Sequence, residues 1–330
     1  MTLPRNELTR SGLPISQLGL GCASLAGIFQ PVADADARGT IDGALEAGIS
    51  YFDTAPFYGH GLSERLTGDG LRGQDDIVLS TKVGRILRPG QTDDPGAWVT
   101  ALPFTPEFNY TYDGVMRSFE TSLQRLGLDR IDILYIHDIG SMTHGEELGP
   151  VLFETAMTGG YAALDRLRRS GVIAAFGLGV NEVAVCEDAL DHGDWDVFLL
   201  AGRYTLLEQE PLHGLMQRCL THKTDVVIGG PFNSGVLVGG DSFDYGAVPP
   251  HIAAKVEAMA VVCAAHDVPL PAAALQFPLA HPAVKSVIPG PRTPDELAQN
   301  IDWFLHPVPP ALWDDLKSEG LIDADAPTQP

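Results

Sequence analysis

Short, almost continuously apolar segments alternate along this chain with longer segments whose apolar residues recur at helical spacing. The apolar segments are one that ends near Gly21 and those at 49–53, 77–82, 131–137, 172–178, 196–200, 225–228 and 284–288. The amphipathic segments lie at 34–47, 62–71, 113–126, 161–170, 182–191, 211–222, 253–266 and 294–302. Strands that are apolar along their whole length are typical of a parallel sheet covered on both faces. The pattern therefore predicts an α/β fold built from eight strand–helix units.

Eight such units predict a single domain over residues 1–330, with the architecture of a (β/α)8 TIM barrel. A doubly wound sheet is the alternative, but segment 19–24 lacks the third glycine and the following helix of a dinucleotide-binding fingerprint. Ser11 and Gly12 mark a turn between two short alternating segments, which predicts an N-terminal β-hairpin. We expect the tail at 321–330 to be mobile.

Three connections in this pattern are long, at 85–112, 138–160 and 229–251. Each follows a predicted strand, so we expect long loops at the carboxyl face of the barrel. Enzymes with this fold carry their active sites at that face.

The acidic composition restricts the classes of partner. The formal net charge is −22, from 43 acidic and 21 basic residues. Such a surface repels phosphate backbones and anionic lipids, so we expect neither nucleic acid nor membrane as a partner. The four cysteines lack metal-ligand spacing, which predicts free thiols in a reducing cytoplasm and no metal. Without a signal-like segment or about 20 consecutive apolar residues, we expect a cytoplasmic monomer or small homo-oligomer.

Polar residues close three consecutive predicted strands. Asp53, Lys82 and His137 stand at the ends of these strands, and Tyr58 follows Asp53 in a loop turned by Pro56 and Gly59. Neighbouring strand ends in a barrel lie within side-chain reach of one another. We therefore expect the four side chains to meet at the carboxyl face.

These four groups suit proton transfer at a substrate oxygen while a hydride moves at the adjacent carbon. A free tyrosine has a pKa near ~10, and an ammonium beside it would lower that pKa by ~2–3 units. Asp53 would hold Lys82 in its charged form, Tyr58 would act as general acid or base, and His137 would orient the substrate oxygen. Taken singly, each residue also has a structural interpretation, as an ion pair, a hydrogen-bonded histidine or a packing tyrosine.

Several segments closely resemble the aldo-keto reductase superfamily, in order and over nearly the whole chain. They are 52–59 with Ser63 and Glu64, 80–84, 132–137, 177–181 and 287–300. The resemblance implies a (β/α)8 barrel and a nicotinamide cofactor bound extended, without a Rossmann domain. It also implies a catalytic tetrad, which this sequence supplies as Asp53, Tyr58, Lys82 and His137.

The resemblance further implies the residues that bind the cofactor. They are Gly21, Asn181, Tyr204, Pro231, Phe232, Asn233, Ser234, Gly235, Pro289, Gly290, Arg292, Glu296, Gln299 and Asn300. Asn181 matches an asparagine that contacts the nicotinamide carboxamide, and the small residues at 231–235 suit a pyrophosphate. Gly229 stands where the family usually stacks a tyrosine on the nicotinamide, so either Phe232 or Tyr204 substitutes for it or the space serves the substrate.

The segment after the eighth strand bears on the choice between NAD and NADP. Relatives that use NADP often carry a lysine and an arginine where this sequence has Gly290 and Glu296. A glutamate would repel a 2′-phosphate and accept a hydrogen bond from a 2′-hydroxyl. Arg292 is the counter-argument, because it would attract a phosphate. We favour NAD.

Within the superfamily, segments 58–64, 179–182 and 200–209 resemble two groups of dehydrogenases. One comprises L-fucose and D-threo-aldose 1-dehydrogenases and the other pyridoxal 4-dehydrogenases, which implies oxidation of a cyclic hemiacetal to a lactone. The aldose is our first expectation and pyridoxal the alternative. Candidate substrate residues are Phe57, His60, Asn109, Asp138 and Arg203, and aromatic walls for pyridoxal would come from Phe57, Trp98, Phe104, Phe108 and Tyr110. A non-catalytic, cofactor-binding partner subunit is the hypothesis from another class, and the complete tetrad argues against it.

Overall fold

The computed structural model describes residues 3–92 and 95–328. The strands are β1 (Arg5–Glu7), β2 (Pro14–Ser16), β3 (Leu20–Gly21), β4 (Tyr51–Asp53), β5 (Val78–Val83), β6 (Arg85–Pro89), β7 (Phe104–Phe108), β8 (Ile133–His137), β9 (Ala175–Val180), β10 (Val197–Ala201), β11 (Asp225–Gly229), β12 (Ser242–Phe243), β13 (Gly246–Ala247) and β14 (Val284–Ile288). The helices are α1 (Asp34–Glu46), α2 (Leu62–Leu71), α3 (Tyr112–Leu126), α4 (Ser141–Thr155), α5 (Tyr161–Arg169), α6 (Val183–Ala189), α7 (Leu215–His222), α8 (Pro250–Ala265), α9 (Leu270–Gln276), α10 (Pro294–Leu305) and α11 (Pro310–Ser318).

Eight parallel strands form the predicted barrel. Their order is β3-β4-β5-β8-β9-β10-β11-β14. The first and last strands meet at a seam, where Val287 N donates to Gln17 O at 2.8 Å and Gly19 N donates to Val287 O at 2.9 Å. The prediction of a (β/α)8 barrel is confirmed.

Two apolar clusters stabilise the barrel. The larger lies between the strands and the surrounding helices, and the smaller fills the barrel interior with residues such as Val78, Ile133 and Val197. The predicted hairpin forms from β1 and β2, which pair antiparallel with Asn6 opposite Ile15. Ile15 is fully buried in the interior cluster, so the hairpin contributes an apolar side chain to the barrel core.

The three long connections carry more regular structure than we expected. An antiparallel hairpin of β6 and β7 lies within 85–112, and the paired strands β12 and β13 lie within 229–251. Helix α4 lies within 138–160, where Gly145, Gly149 and Pro150 obscure its helical spacing. Because α4 buries only Gly149 among its residues, it has no apolar stripe from which sequence reasoning would have found it.

The expected mobile tail is packed against the barrel over the residues that the structure describes. Ile322 is 4% exposed and Ala326 is 1% exposed, and both belong to the larger apolar cluster. Asp323 N also donates to Gln209 Oε1 at 3.2 Å. The side chains of Ile322 and Ala326 therefore hold the tail against the barrel. Residues 329 and 330 lie outside the described part of the chain.

Across residues 3–92 and 95–328, no single helix has the length and apolar character needed to cross a membrane. One bent pair, Pro250–Ala265 with Leu270–Ala280, meets that requirement by length and composition only. All four cysteines are buried free thiols.

Candidate active site

The ends of three adjacent strands bring the predicted acid–base residues together. Asp53 ends β4, Lys82 is the penultimate residue of β5 and His137 ends β8. Lys82 Nζ donates to Asp53 Oδ2 at 2.6 Å, and Ser80 Oγ donates to the other carboxylate oxygen at 2.7 Å. Both members of this ion pair are almost wholly enclosed, so the carboxylate fixes the position of the ammonium group.

Tyr58 follows β4 on a helical turn and faces this ion pair. Lys82 Nζ lies 4.6 Å from the centre of the Tyr58 ring, and the Tyr58 and His137 rings meet edge to face at 5.9 Å. The structure therefore brings Asp53, Tyr58, Lys82 and His137 into one cluster, as the strand ends predicted. Their roles in catalysis stay a prediction.

The electrostatics of Tyr58 differ from our expectation. Burial raises the pKa of the Tyr58 phenol to about 12, and the charge of Lys82 lowers it only in part. Lys82 lowers the pKa of Tyr58 as expected, but the expected net lowering was wrong for the protein alone, because burial raises this pKa by more and Asp53 raises it further. Burial by itself would lower the pKa of Lys82, but Asp53 and Tyr58 raise it on balance, so Lys82 keeps its charge.

His137 is a neutral imidazole in this setting. Burial, together with the charges of Arg85 and Lys82, holds the pKa of His137 well below its usual value. A neutral imidazole offers one N–H donor and one acceptor nitrogen. It can therefore donate a hydrogen bond to a substrate oxygen without adding a third cation to the cluster.

An open cleft of about 460 Å³ begins at Asp53 and Tyr58 and extends across the carboxyl face. Nearly all the predicted cofactor residues line it: Gly21, Asn181, Pro231, Phe232, Asn233, Ser234, Gly235, Pro289, Gly290, Arg292, Glu296, Gln299 and Asn300. The wall beyond Tyr58 is formed by the loops after β11 and β14. The lining therefore runs from Tyr58 to Glu296 at the start of the helix that follows β14.

The loop after β11 leaves open space beside its backbone at Gly235. The backbone of Gly235 has a φ of +104°, and no atom lies within 4 Å of where its Cβ would be. The space beside this loop is therefore open to the cleft, as a pyrophosphate would require. The residues present fit a dinucleotide at this position.

Tyr204 is the one predicted cofactor residue that the cleft excludes. Its side chain is fully buried, and its ring lies 5.6 Å from Phe277 and 5.5 Å from His281. Ala201 and Gly202 line the cleft instead, and the chain then turns inward before residue 204. The prediction that Tyr204 stacks on the nicotinamide was therefore wrong.

Arg292 and Glu296 form a closed ion pair at the far end of the cleft. Arg292 Nη2 lies 2.8 Å from Glu296 Oε1, and the Arg292 backbone N donates to Oε2 at 2.8 Å. Burial would raise the pKa of Glu296, but the hydrogen bonds and charge of Arg292 lower it overall. A Cβ on Gly290 would lie 2.7 Å from Ser24 Oγ, so a lysine at this position would require Ser24 to move.

Two of the predicted substrate residues are engaged in ion pairs within the protein, and a third, His60, is buried with its Nδ1 atom lacking a hydrogen-bond partner. His60 is 1% exposed and packs against Phe57, with ring centres 5.8 Å apart. Asp138 pairs with Arg85, whose Nη2 lies 2.5 Å from Oδ2. Arg203 pairs with Asp244 at 2.7 Å and donates from Nε to the backbone oxygen of Asn181 at 2.9 Å. None of these three lines the cleft itself, and their role as substrate contacts stays a prediction.

Phe57, the remaining predicted substrate residue, does lie beside the acid–base cluster. Its ring is 6.3 Å from the His137 ring and 5.7 Å from the Trp98 ring. Trp98 in turn lies 5.5 Å from Tyr58. Of the other proposed aromatic walls, Phe108 and Tyr110 pack on His144, away from Tyr58.

Sequence reasoning missed four residues at this site. Phe29 and Tyr245 line the mouth of the cleft with ring centres 6.4 Å apart, and Asp244 lines it beside Tyr245. Arg85 lies behind His137 and carries the partner charge of Asp138. Arg85 comes three residues after Lys82 at a predicted strand end, and Asp244 lies in a long loop after a strand. Their positions at the carboxyl face would therefore have been enough to predict both as site residues.

Residues 17–319 match the model of the Aldo/keto reductase family. The chain is 43% identical to a pyridoxal 4-dehydrogenase from Microbacterium luteolum, over 96% of this chain and 98% of that protein. It is 37% identical to a D-threo-aldose 1-dehydrogenase from a Pseudomonas species, over 94% of this chain and 96% of that protein. The solved structure of an aldo-keto reductase from Bacillus halodurans, in its holo form, superimposes with a TM-score of 0.72 at 24% identity and covers 98% of both chains.

Proposed function

The chain belongs to the aldo/keto reductase family of oxidoreductases, which bind nicotinamide cofactors, and from this premise we propose that it oxidises a cyclic hemiacetal to a lactone. The observation that carries the proposal is the cluster of Asp53, Lys82, Tyr58 and His137 at the end of an open cleft. Predicted membership of this family is confirmed, and the substrate and the catalytic roles are our proposal.

In this reaction the hemiacetal loses a proton from its hydroxyl group and a hydride from the same carbon, so that the C–O bond becomes a carbonyl. A bound nicotinamide would accept the hydride. Tyr58 takes the hydroxyl proton as phenolate, which Lys82 stabilises with a charge kept by Asp53. His137 donates a hydrogen bond to the reacting oxygen and so places its proton towards Tyr58. The reverse reduction uses Tyr58 as the acid.

The surroundings of Tyr58 favour pyridoxal in its hemiacetal form as the substrate. Phe57 and Trp98 lie beside Tyr58 and His137, and Phe29 and Tyr245 frame the mouth of the cleft. A flat aromatic ring gains from stacking against such walls. Of the polar side chains expected to surround a sugar, Asp138 and Arg203 are already engaged in ion pairs with Arg85 and Asp244. An aldose is the second candidate, supported by the 37% identity to a D-threo-aldose 1-dehydrogenase.

We propose NAD as the cofactor, and the ion pair of Arg292 with Glu296 supports this choice. The Glu296 carboxylate pairs with the Arg292 guanidinium, which would otherwise attract a 2′-phosphate. Replacing Glu296 with alanine (Glu296→Ala) would free Arg292, and we expect kcat/KM for NADP to rise at least ~10-fold relative to NAD, which corresponds to ~1.4 kcal/mol.

A spectrophotometric screen tests the proposal. Pyridoxal, D-arabinose, L-fucose and L-galactose are each supplied with NAD and with NADP, and formation of the reduced cofactor is followed. We expect oxidation of pyridoxal with NAD and a slower reaction with the sugars. Preference for a sugar would overturn the choice of substrate, and preference for NADP would overturn the choice of cofactor. Tight cofactor binding with no turnover of any of these compounds would favour the non-catalytic partner subunit.

A further inference from the structure

Three buried hydroxyl groups, those of Tyr135, Tyr51 and Ser80, lead through the barrel interior to the proposed acid–base cluster; we call them the hydroxyl chain. Tyr51 and Asp53 are two residues apart on β4, so their side chains point to the same face of that strand. The Tyr135 hydroxyl lies 2.9 Å from the Tyr51 hydroxyl, which lies 3.1 Å from Ser80 Oγ. Ser80, which is opposite Asp53 in the register of β4 and β5, lies 2.7 Å from its Oδ1 atom.

The charge of Asp53 fixes the direction of every hydrogen bond in the hydroxyl chain. A carboxylate only accepts hydrogen bonds, so Ser80 donates its one hydrogen there. The carbonyl oxygen of Phe52 is a more distant acceptor, at 3.4 Å from Ser80 Oγ. Ser80 Oγ must then accept from Tyr51, and the Tyr51 oxygen must accept from Tyr135. We assign these directions from the donors and acceptors present, and all three hydrogens point towards Asp53.

The hydroxyl chain is enclosed by the barrel. Its three side chains are fully buried, and both tyrosines belong to the smaller apolar cluster of the barrel interior. Removing a hydroxyl group from water costs free energy, which an apolar side chain of similar shape would avoid. Because the chain does not reach the surface, it is no path for protons to or from solvent. Its effect on Asp53 is therefore electrostatic.

The two oxygens of the Asp53 carboxylate have different partners. Oδ1 accepts from Ser80, and Oδ2 accepts from Lys82, whose ammonium group faces the Tyr58 ring. Aligned hydrogen bonds polarise one another in a low-dielectric interior, so the hydroxyl chain draws negative charge towards Oδ1. Less negative charge then remains beside Lys82, and the field of the ammonium acts more fully on Tyr58.

From these contacts we propose that the members of the hydroxyl chain are positioning residues, which stabilise Asp53 from behind and so let Lys82 favour the phenolate of Tyr58. This inference rests on the proposed function in one respect, because it takes Tyr58 as the base. The ionisation of Tyr58 itself is a property of the protein without substrate.

The charged and titratable groups that face Tyr58 come from four elements. They are Asp53 on β4, Lys82 on β5, His137 on β8 and Tyr245 in the turn between β12 and β13. Replacing Tyr51 with phenylalanine (Tyr51→Phe) leaves all four in place and keeps the buried ring. A change in the ionisation of Tyr58 in this variant therefore reports on the hydroxyl chain.

The experiment is 13C NMR of the full chain labelled at the tyrosine Cζ atom, because the signal of this atom moves when the phenol ionises. The Tyr58 signal is identified by its loss in Tyr58→Phe and is followed between pH ~9 and ~11. In Tyr51→Phe we expect the phenolate fraction of Tyr58 at each pH to fall at least ~3-fold, because negative charge returns to the Lys82 side of Asp53.

Position along the hydroxyl chain supplies a graded second test. Tyr135→Phe removes the outermost donor and leaves Tyr51 bound to Ser80, so we expect a smaller fall in the phenolate fraction than in Tyr51→Phe. Between pH ~7 and ~10, kcat for oxidation should fall in the same order, by at least ~3-fold in Tyr51→Phe. KM and the affinity for NAD, measured by quenching of tryptophan fluorescence, should stay within ~2-fold.

Ser286→Ala is the matched control. Ser286 is fully buried on barrel strand β14, and its Oγ donates to the backbone oxygen of Ser16 at 2.8 Å rather than to Asp53. Like Tyr51→Phe, it removes a buried, hydrogen-bonded hydroxyl group, so we expect both variants to lose stability in urea. Ser286→Ala should leave the Tyr58 signal and kcat unchanged, which separates an electrostatic effect from a general loss of stability.

A Tyr51→Phe variant that is less stable but keeps the Tyr58 ionisation and the kcat of the unmodified protein would overturn the inference. So would a larger effect in Tyr135→Phe than in Tyr51→Phe. If Tyr51→Phe does not fold, Tyr135→Phe decides, and unchanged ionisation of Tyr58 in that variant would overturn the inference. If no hemiacetal is oxidised but Tyr51→Phe still lowers the phenolate fraction of Tyr58, the proposed function fails and this inference stands.

Discussion

At the scale of single residues, the proposed acid–base group is a phenol that burial holds protonated. Tyr58 has its pKa raised to about 12, although a lysine ammonium lies 4.6 Å from the centre of its ring. Lys82 is paired with Asp53, so the field of an ion pair, weaker than that of a lone cation, acts on the phenol. The protein alone is thus prepared to donate a proton, and oxidation depends on the small fraction of phenolate.

Removing the phenol hydroxyl tests this assignment. We expect Tyr58→Phe to lower kcat by ~10²–10⁴-fold, because the proposed proton exchange at the Tyr58 hydroxyl is lost, while NAD affinity is retained. Cofactor-linked absorbance and fluorescence titration measure the two quantities.

Tyr204→Phe is the matched control, since the Tyr204 hydroxyl is buried without a partner and lies outside the cleft. We expect it to leave kcat and NAD affinity unchanged and the free energy of unfolding within about 0.5 kcal/mol. A normal kcat in Tyr58→Phe would contradict the mechanism.

The raised pKa of Tyr58 also predicts a pH dependence. Below about pH 12 the phenolate fraction grows tenfold per pH unit, so kcat/KM for oxidation should rise with pH between ~7 and ~10. The free energy of unfolding changes in the opposite direction, because it falls as pH rises. A phenol whose folded pKa exceeds the unfolded ~10 stabilises the fold below pH ~10, and this contribution is lost as pH rises towards about 12. A flat profile for oxidation over this interval would count against Tyr58 as the base.

At the scale of elements, two neighbouring strands supply the buried ion pair. Asp53 from β4 and Lys82 from β5 have side chains 3% and 2% exposed, so neither charge is stabilised by water. Removing one partner leaves the other charge buried and unpaired. This pair therefore stabilises the junction of the strands only as long as it is complete.

Lys82→Met should lower the free energy of unfolding by about 3–5 kcal/mol, because it leaves the Asp53 carboxylate buried without a partner charge. The double variant Asp53→Asn with Lys82→Met should lose clearly less, since no charge remains buried there. Urea unfolding measures both. Equal losses in the single and double variants would show that packing, and not charge, is the main contribution of Lys82.

The paired strands β12 and β13 are joined by a turn whose residues Asp244 and Tyr245 line the cleft. The element is tied to the body of the protein by the ion pair of Asp244 with Arg203 and by Tyr245 N donating to Ser234 Oγ at 3.1 Å. Because Arg203 also donates to Asn181, one guanidinium connects the element to a predicted cofactor contact.

Asp244→Ala should weaken NAD binding by no more than ~5-fold, since Asp244 is 41% exposed and such pairs contribute up to about 1 kcal/mol. The rate of NAD release in stopped-flow fluorescence should increase by the same factor. Asp241→Ala, in the same loop, is the control and should change neither quantity. An unchanged release rate in Asp244→Ala would show that this ion pair does not restrain the cleft.

At the scale of the whole molecule, the net charge of −22 opposes the approach of an anionic dinucleotide. The Debye length falls from ~30 Å at 0.01 M salt to ~8 Å at 0.15 M, so added salt should speed NAD association. Stopped-flow fluorescence at both ionic strengths measures the rate constant. Cationic nicotinamide riboside is the control and should show the opposite trend. A slower association of NAD in salt would indicate that local positive charge in the cleft outweighs the overall charge.

The barrel and the tetrad were predictable because both depend on local pattern. Continuous apolar strands ending in Asp53, Lys82 and His137 specify which side chains share one face, whatever the loops do. The errors concern contacts between distant segments. Nothing near Asp138 in sequence reveals that Arg85 holds it, nor that Tyr204 turns away from the cleft to pack on Phe277. The packing of Ile322 and Ala326 likewise depends on a surface that forms only in the folded chain.

The seam of the barrel has a consequence for the folding of the chain during its synthesis. Ser286 Oγ donates to Ser16 O at 2.8 Å across 270 positions of sequence, and Gly21 N donates to Pro289 O at 2.9 Å. During translation, β3, β4, β5 and β8 leave the ribosome long before this partner exists, so the growing chain exposes an unpaired strand edge. The tetrad is complete at residue 137, but the wall of the cleft is not. A nascent chain therefore carries the proposed acid–base residues without the proposed wall for a dinucleotide, and we expect redox chemistry only when synthesis is almost finished.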